Sequence, residues 1–83
     1  MNSVSFNARV SRDLAEILTH YETESGIPLA DDFFDRLSKK VVQAKTNPER
    51  FPFFEQSIRR ANLDGFPYHF LYRVKSGGIH IFV

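Results

Sequence analysis

Cationic and imidazole side chains recur in the last third of the chain at spacings that suit the binding of anionic groups. Arg59 and Arg60 are adjacent, His69 and Arg73 follow on one stretch, and His80 comes close to the end. A guanidinium binds a phosphate or carboxylate through paired, charge-assisted hydrogen bonds. An imidazole, with an ordinary pKa of about 6.5, also exchanges protons near neutral pH. These residues predict a surface for a polyanion or an acidic protein, with proton transfer at a phosphate as the chemical alternative.

Three strands must position these side chains. The sequence alternates apolar and polar residues over 58–63, 68–74 and 79–83, which is the period of strands with one buried face. Asp64-Gly65 leads from the first strand to the second, and Ser76-Gly77 favours a tight hairpin turn between the last two. We expect one face of this sheet to be aromatic and aliphatic. The opposite face is expected to carry His69, Arg73 and His80.

The two-residue turn also sets the register of the last hairpin. It predicts the cross-strand pairs Val74 with Ile79, Tyr72 with Ile81, and Arg73 with His80. Under the alternative interpretation, Arg73 is a surface residue that only pairs across this hairpin. Arg59 shares its face with Ala61 and Leu63. The alternative to a binding role for Arg59 is therefore a position at the edge of the core, beside an acidic residue such as Glu55.

Two amphipathic helices are expected between a short first strand, containing Val4 and Phe6, and this sheet. Asn7 can cap the first helix, and Gly26 can end it. Pro28 can begin the second, which Asn47-Pro48 terminates. The first apolar stripe consists of Val10, Leu14, Ile17, Leu18 and Tyr21. The second consists of Leu29, Phe33, Leu37, Val41 and Ala44, and Phe34 and Val42 widen it. The predicted fold is α+β, in the order β-α-α-β-β-β, with a helical hairpin packed on one face of a small, mainly antiparallel sheet.

An aromatic segment, Phe51-Pro52-Phe53-Phe54, separates the second helix from the sheet. Pro52 lacks a backbone donor, which argues against a central strand. We therefore expect a loop whose rings close one end of the core. The alternative is an exposed aromatic patch that binds another protein.

Length and composition exclude several classes of protein. The 83 residues correspond to one domain, and 42% hydrophobic with 14% aromatic residues can build a core. The absence of Cys excludes disulfides and thiolate chemistry. No apolar run is long enough to span a bilayer, and the first residues lack a signal-peptide pattern, so we expect a cytoplasmic protein. Metal-ligand spacings, a phosphate-binding glycine loop and a nucleophilic triad are not recognisable, so no cofactor is expected.

Charge is distributed unevenly along the chain. Residues 1–35 contain two Arg and seven Asp or Glu, which gives −5, whereas residues 36–83 contain nine Lys or Arg and three acids, which gives +6. This separation predicts a basic working surface or an acidic partner. The alternative is a solvated helix face followed by ordinary strand charges.

The chain resembles the RelE/ParE superfamily of toxins from bacterial type II toxin–antitoxin systems, and the resemblance is strongest to the ParE-like branch. It covers nearly the whole sequence. The matching motifs are Asp13-Leu14-x-Glu16-Ile17-Leu18 with Tyr21-Glu22, Asn47-Pro48-Glu49-Arg50-Phe51-Pro52, Arg59-Arg60-Ala61-x-Leu63, Phe66-Pro67-Tyr68 and Tyr72-Arg73-Val74. Family members usually continue with a short basic tail. We expect the domain of residues 1–83 to lack that tail, because the sequence ends at Val83.

The resemblance implies a cytoplasmic toxin that inhibits growth or stabilises plasmids. A ParE-like toxin binds a target such as DNA gyrase without chemistry of its own. Its target-binding residues here would be Arg59, Arg60, His69, Arg73 and His80. A RelE-like toxin instead cleaves mRNA on the ribosome. Its catalytic residues here would be His69, Arg73, Arg60 and Tyr68, although an Arg commonly stands where this chain has His69. A third possibility is a truncated toxin that retains only antitoxin binding.

The resemblance also implies a partner, a cognate antitoxin whose C-terminal segment wraps the toxin in a hetero-oligomer. One helix of that segment would lie on the helical hairpin, and an extended piece would lie on a sheet edge or on the basic face. The sequence does not identify the antitoxin-binding residues. Exposed sheet edges and a surplus of aromatic side chains would both benefit from such a cover.

Overall fold

Two helices form a hairpin that packs on one face of a five-stranded sheet. The computed structural model describes residues 3–82. The elements along the chain are β1 (Ser3–Phe6), α1 (Ala8–Ser25), α2 (Ile27–Thr46), a 3₁₀ turn (Pro48–Arg50), β2 (Phe53–Glu55), β3 (Ile58–Asn62), β4 (His69–Lys75) and β5 (Gly78–Phe82). The predicted fold class is confirmed, with one strand more than expected. Within residues 3–82, neither helix has the length and apolar character needed to cross a membrane.

The sheet has the order β1-β5-β4-β3-β2, so β1 and β2 are its edges. The pair β1–β5 is parallel and the other neighbours are antiparallel. The predicted register of the last hairpin is confirmed, since Val74 pairs with Ile79, Tyr72 with Ile81 and Arg73 with His80. Val83, which the sequence places in the last strand, lies outside the described residues.

Both helices begin and end where the sequence provides suitable caps. The Asn7 side chain accepts a hydrogen bond of 3.0 Å from the Val10 amide and so satisfies a free donor in the first turn of α1. Gly26 separates the helices at a φ of 94°, a conformation that costs glycine little. At the end of α2, the Asn47 amide donates to the Gln43 carbonyl at 2.9 Å. These caps hold the hairpin in register above the sheet.

The core is concentrated under α2 and β3–β5. Tyr72, Phe33 and Ile79 are its largest fully buried side chains. An aromatic cluster lies beside them, with ring centroids 5.2 to 6.3 Å apart. Its members are Tyr21, Phe33, Phe66 and Tyr68. Such edge-to-face contacts add to the free energy gained from burial.

The segment predicted as a loop is partly a strand. Phe53–Glu55 forms the edge strand β2, paired with β3 through an irregular register. Pro52 fits because its missing donor is not needed, while its carbonyl accepts from the Arg60 amide at 3.1 Å. The expectation that the rings close the core is correct for Phe51, which is buried against Tyr72. It is wrong for Phe53 and Phe54, which are 58% and 50% exposed.

Gly78→Ala is expected to detach β1 from the sheet. A methyl group at Gly78 would overlap the Ser3 backbone, because β1 runs close beside β5 at this point. We expect the free energy of unfolding to fall by about 2 kcal/mol. Hydrogen exchange should quicken at the Ser3 amide, which donates to the Gly77 carbonyl at 2.7 Å. Ser76→Ala in the exposed turn is the matched control, and an unchanged exchange rate in the Gly78 variant would contradict the register.

Candidate binding face

The outward sheet face, defined as the side of β3–β5 that points away from the helices, collects most of the residues singled out in the sequence. Alternation along the strands produces this face, because Ala61, Phe70, Tyr72, Ile79 and Ile81 are buried on the other side. The outward residues are Ile58, Arg60 and Asn62 on β3, His69, Leu71 and Arg73 on β4, and His80 and Phe82 on β5.

Arg73 lies near the centre of the outward sheet face. It pairs with Ile58 on one neighbouring strand and with His80 on the other, and its side chain is exposed. Its Cζ lies 5.6 Å from the centroid of the Phe82 ring, a cation–π distance. Phe82 thus holds the guanidinium in place without neutralising it, which leaves its hydrogen-bond donors available to a partner.

His80 is held by contacts with Ser5 on β1 and with Phe82 on its own strand. Its Nδ1 lies 2.8 Å from the Ser5 hydroxyl oxygen on β1, and its ring stacks on that of Phe82 at a centroid distance of 6.3 Å. Alternation along the last strand places Phe82 on the same face as His80, but Ser5 has no signal in the sequence because its contact depends on the parallel pairing of β1 with β5. That long-range contact has no local sequence pattern.

The outward sheet face has a uniform charge. The segments Ile58–Asn62, His69–Lys75 and Gly78–Phe82 contain no Asp or Glu. Within residues 3–82, no carboxylate oxygen lies within 4.0 Å of a nitrogen of Arg60 or Arg73. Arg60 instead donates from Nε to the Asn62 amide oxygen at 3.0 Å. The nearest acid in register is Glu55 on the edge strand β2, opposite Ile58, and it forms no salt bridge with Arg60 or Arg73, so the positive potential of β3–β5 favours an anionic partner.

The four residues considered for catalysis converge only in part, since Arg60, Tyr68 and His69 line one pocket of about 280 Å³ and Arg73 does not. His69 and Arg73 are four residues apart on one strand, so their Cα atoms are about 13 Å apart. Arg60 occupies the row between them, opposite Leu71. Tyr68 lies on the core side, where its ring contacts Phe33 at 5.6 Å. A transition state at one phosphate needs its donors and proton carriers around a single point, and Arg73 is separated from the pocket that the other three share.

Arg59 is separated from the other predicted target-binding residues. It lies on the core side of β3, where its Nη1 donates to the Phe51 carbonyl at 2.6 Å and to the Glu49 carbonyl at 3.4 Å. Its Cζ stacks 3.8 Å from the centroid of the Phe53 ring. The expected position at the edge of the core is therefore correct, but its contacts are backbone carbonyls and Phe53 rather than Glu55. Arg59 fixes the segment that precedes β3.

Burial changes the acid–base behaviour of two tyrosines on the core side. The pKa of Tyr72 is raised by desolvation, an effect that nearby Arg59 partly offsets. The Tyr72 hydroxyl donates to the Pro48 carbonyl at 2.6 Å. Partial burial also raises the pKa of Tyr21, and the neighbouring Tyr68 hydroxyl raises it further. Both phenols are therefore neutral, structural groups at physiological pH.

An apolar groove beside α1 is a second candidate surface, which we call the α1 groove. Its volume is about 320 Å³. Its walls include Phe6, Val10, Leu14, Leu18, Val41 and Ile81. Across Ala8–Ser25, α1 has no fully buried side chain, although its stripe was expected to be core. The groove exists because the stripe of α1 is only partly covered by the sheet and α2.

Metal binding has no evident centre in the described part of the chain. Among residues 3–82, the structure groups no three His, Asp or Glu side chains in a way that would hold a metal ion. The histidines of the outward sheet face, His69 and His80, lie on different strands in different rows.

Comparison with solved structures shows a similarity of fold. The fold matches a chain in a solved structure of the "Chromosomal ParDE TA system from P. aeruginosa", with a TM-score of 0.82 and 22% sequence identity. The match covers 99% of this chain and 91% of that one. No family model matches the sequence, and no curated protein matches it either. At this identity, the similarity establishes a shared fold.

Substitution of the two adjacent arginines should separate a structural role from a surface role. Arg59→Ala removes two hydrogen bonds and the stacking on Phe53, so we expect the free energy of unfolding to fall by about 1–2 kcal/mol. Arg60→Ala, on the outward sheet face, should change it by less than about 0.5 kcal/mol. Urea denaturation measures both. Equal losses for the two variants would contradict the assignment of opposite faces.

Tyr72→Phe should give a loss of stability that depends on pH. At neutral pH we expect a loss of about 1–2 kcal/mol, because the Pro48 carbonyl loses its donor. The pKa of Tyr72 is raised above the ordinary 10.0 in the folded protein. Its contribution is therefore fully present below about pH 10 and is lost as the pH rises through the raised pKa. Denaturation across this pH range should show that the difference in the free energy of unfolding between wild type and Tyr72→Phe becomes smaller.

Tyr21→Phe is the matched control for this experiment, since Tyr21 also has a raised pKa but does not bind Pro48. Its loss in the free energy of unfolding at neutral pH should be smaller than that of Tyr72→Phe. A difference between wild type and Tyr72→Phe that stays constant through the alkaline range would contradict the buried, neutral hydroxyl.

Proposed function

We propose that this chain is the toxin of a type II toxin–antitoxin system and that it acts in the ParE-like manner, by binding a target protein. The observation that carries the proposal is the outward sheet face, where the exposed Arg73 and the half-buried Arg60 lie on strands without Asp or Glu. The shared fold with a chain of a ParDE system supports the assignment. Inhibition of growth, with stabilisation of a plasmid or chromosomal locus, would be the consequence.

The separation of Arg73 from the pocket lined by Arg60, Tyr68 and His69 favours binding over cleavage. Tyr68 is turned to the core, and His69 is about 13 Å from Arg73 along β4. A docking surface does not require its side chains to meet at one point, because separate cations can each contact a different carboxylate. Arginines are frequent energetic anchors of protein interfaces. The RelE-like alternative, ribosome-dependent cleavage of mRNA, therefore has less support.

The proposed target is an acidic protein surface, for which the resemblance points to DNA gyrase in the cytoplasm. Arg73 would be the central anchor, because Phe82 holds its guanidinium at 5.6 Å and leaves its donors unused. Arg60, His80 and His69 would contribute around it. Arg59 is left out of this set, because its guanidinium is bound to backbone carbonyls. Residues 1–83 would act as one domain.

The α1 groove is the proposed site for part of a neutralising antitoxin. Its walls are almost entirely apolar, and the side chains of α1 are only partly covered. An amphipathic helix of the partner would bury this surface, while an extended segment could pair with an edge strand, β1 or β2. A hetero-oligomer of toxin and antitoxin would result, in which the exposed apolar surface is covered.

Induced expression of Arg73→Ala in bacterial cells tests the target-binding proposal. We expect wild type to stop growth with signs of DNA damage while translation is initially spared. Loss of one central anchor should weaken target binding by about 2 kcal/mol, or roughly thirtyfold, and so relieve the growth defect. Arg50→Ala removes an exposed cation in the 3₁₀ turn and should remain as toxic as wild type.

The same cultures separate the alternatives. Immediate arrest of translation with cleaved mRNA would reject the ParE-like mechanism in favour of the endonuclease. Normal growth at full expression of wild type would reject toxicity, leaving only antitoxin binding. The purified Arg73 variant should unfold at the same urea concentration as wild type, so that lost toxicity reports on binding.

A further inference from the structure

An apolar stripe runs along the solvent side of α2 and has no partner in the fold. Ile27, Phe34 and Val42 are 62%, 49% and 52% exposed, so the expectation that Phe34 and Val42 widen the core-facing stripe of α2 is wrong. Their spacings of seven and eight residues bring them within about 100° of arc on a helix with 3.6 residues per turn. The stripe is about 22 Å long. Asp31 and Ser38 lie between the three apolar residues on the same side of α2, so the stripe is an apolar row interrupted by polar residues.

The charges of α2 are divided between its two halves. Residues 27–35 contain Asp31, Asp32 and Asp35 and no cation. The cations of residues 36–46, which contain no acid, are Arg36, Lys39, Lys40 and Lys45. Acids in the first half and cations in the second half of α2 agree with the helix dipole, and salt bridges within the helix, such as Lys39–Asp35 at 3.0 Å, account for part of this distribution. Within residues 3–82, however, Asp31 and Lys45 have no oppositely charged partner within 4.0 Å.

A two-fold axis makes this surface complementary to itself. If the axis passes the middle of the stripe, between residues 34 and 35, α2 of a second copy runs antiparallel. Ile27 then faces Val42 of the second copy, and the two Phe34 rings meet near the axis. Each acidic half lies against a basic half, with Asp31 close to Lys39 of the second copy. A parallel arrangement would instead bring like charges together.

We propose that α2 is a self-association surface, through which two copies of this chain form an antiparallel, two-fold dimer. Closed two-fold dimers use one self-complementary patch, and the stripe with its divided charges has that property. Three half-exposed side chains make a small contact, so the dimer is weak and forms at micromolar concentrations or above. The proposal does not depend on the proposed toxin activity, because it concerns a different face of the molecule.

Sedimentation equilibrium of the purified chain, at concentrations up to several hundred micromolar, tests the dimer. Wild type should associate reversibly, and Phe34→Ala should raise the dissociation constant at least about tenfold, since it removes the ring nearest the axis. The matched control is Phe54→Ala, which removes an equally exposed ring from β2. That control should leave the dissociation constant unchanged. Circular dichroism and urea denaturation verify that each variant is folded.

A charge exchange tests the antiparallel orientation. Asp31→Lys should raise the dissociation constant of the dimer several-fold, because it places two cations together. Addition of Lys39→Glu in the same chain should recover most of the lost affinity. A wild type that is monomeric at every concentration would overturn the proposal. A dimer unaffected by Phe34→Ala, or one weakened equally by Phe54→Ala, would assign association to another surface and also overturn it. A dimer weakened by Phe34→Ala but not restored by the exchange would exclude the antiparallel register.

Discussion

The hydrogen bond from the buried Tyr72 hydroxyl to the Pro48 carbonyl is the constraint on which the arrangement of this molecule depends. It joins the central strand β4 to the end of the helical hairpin at 2.6 Å, and Tyr72 is completely buried. Since alternate residues of a strand point to opposite sides, fixing Tyr72 inward turns Leu71 and Arg73 outward. One buried phenol thus sets both the packing of the helices and the side on which the cations are exposed.

The same alternation explains why adjacent arginines have different tasks. Arg59 follows the core side of β3 and is satisfied by the carbonyls of Phe51 and Glu49 and by the Phe53 ring. Arg60 points to the other side, where the strands lack carboxylates. Composition alone does not distinguish them. Their order in the strand does, because a shift of one residue exchanges the two faces.

Local signals in the sequence are sufficient for most of the fold. Asn7 and Gly26 mark helix ends through backbone chemistry, and Ser76-Gly77 sets a hairpin register that fixes the pairing of Arg73 with His80. The sequence does not predict β2, because a three-residue edge strand depends on pairing with β3 rather than on its own pattern. It also does not predict the Ser5–His80 contact or the α1 groove, since both depend on how distant elements pack together.

Thiol labelling offers the most direct test of the central claim, that the alternation of β3 and β4 divides buried anchors from an exposed cationic face. The chain has no Cys, so a thiol reagent labels only the single cysteine that is introduced. A cysteine at the exposed Arg73 should react with a thiol reagent nearly as fast as an unfolded peptide, and a cysteine at the half-buried Arg60 should react more slowly but without unfolding. Cysteines at Ala61 and Tyr72 should react only as fast as the protein unfolds. Protection at Arg73 together with rapid labelling at Ala61 would contradict the account.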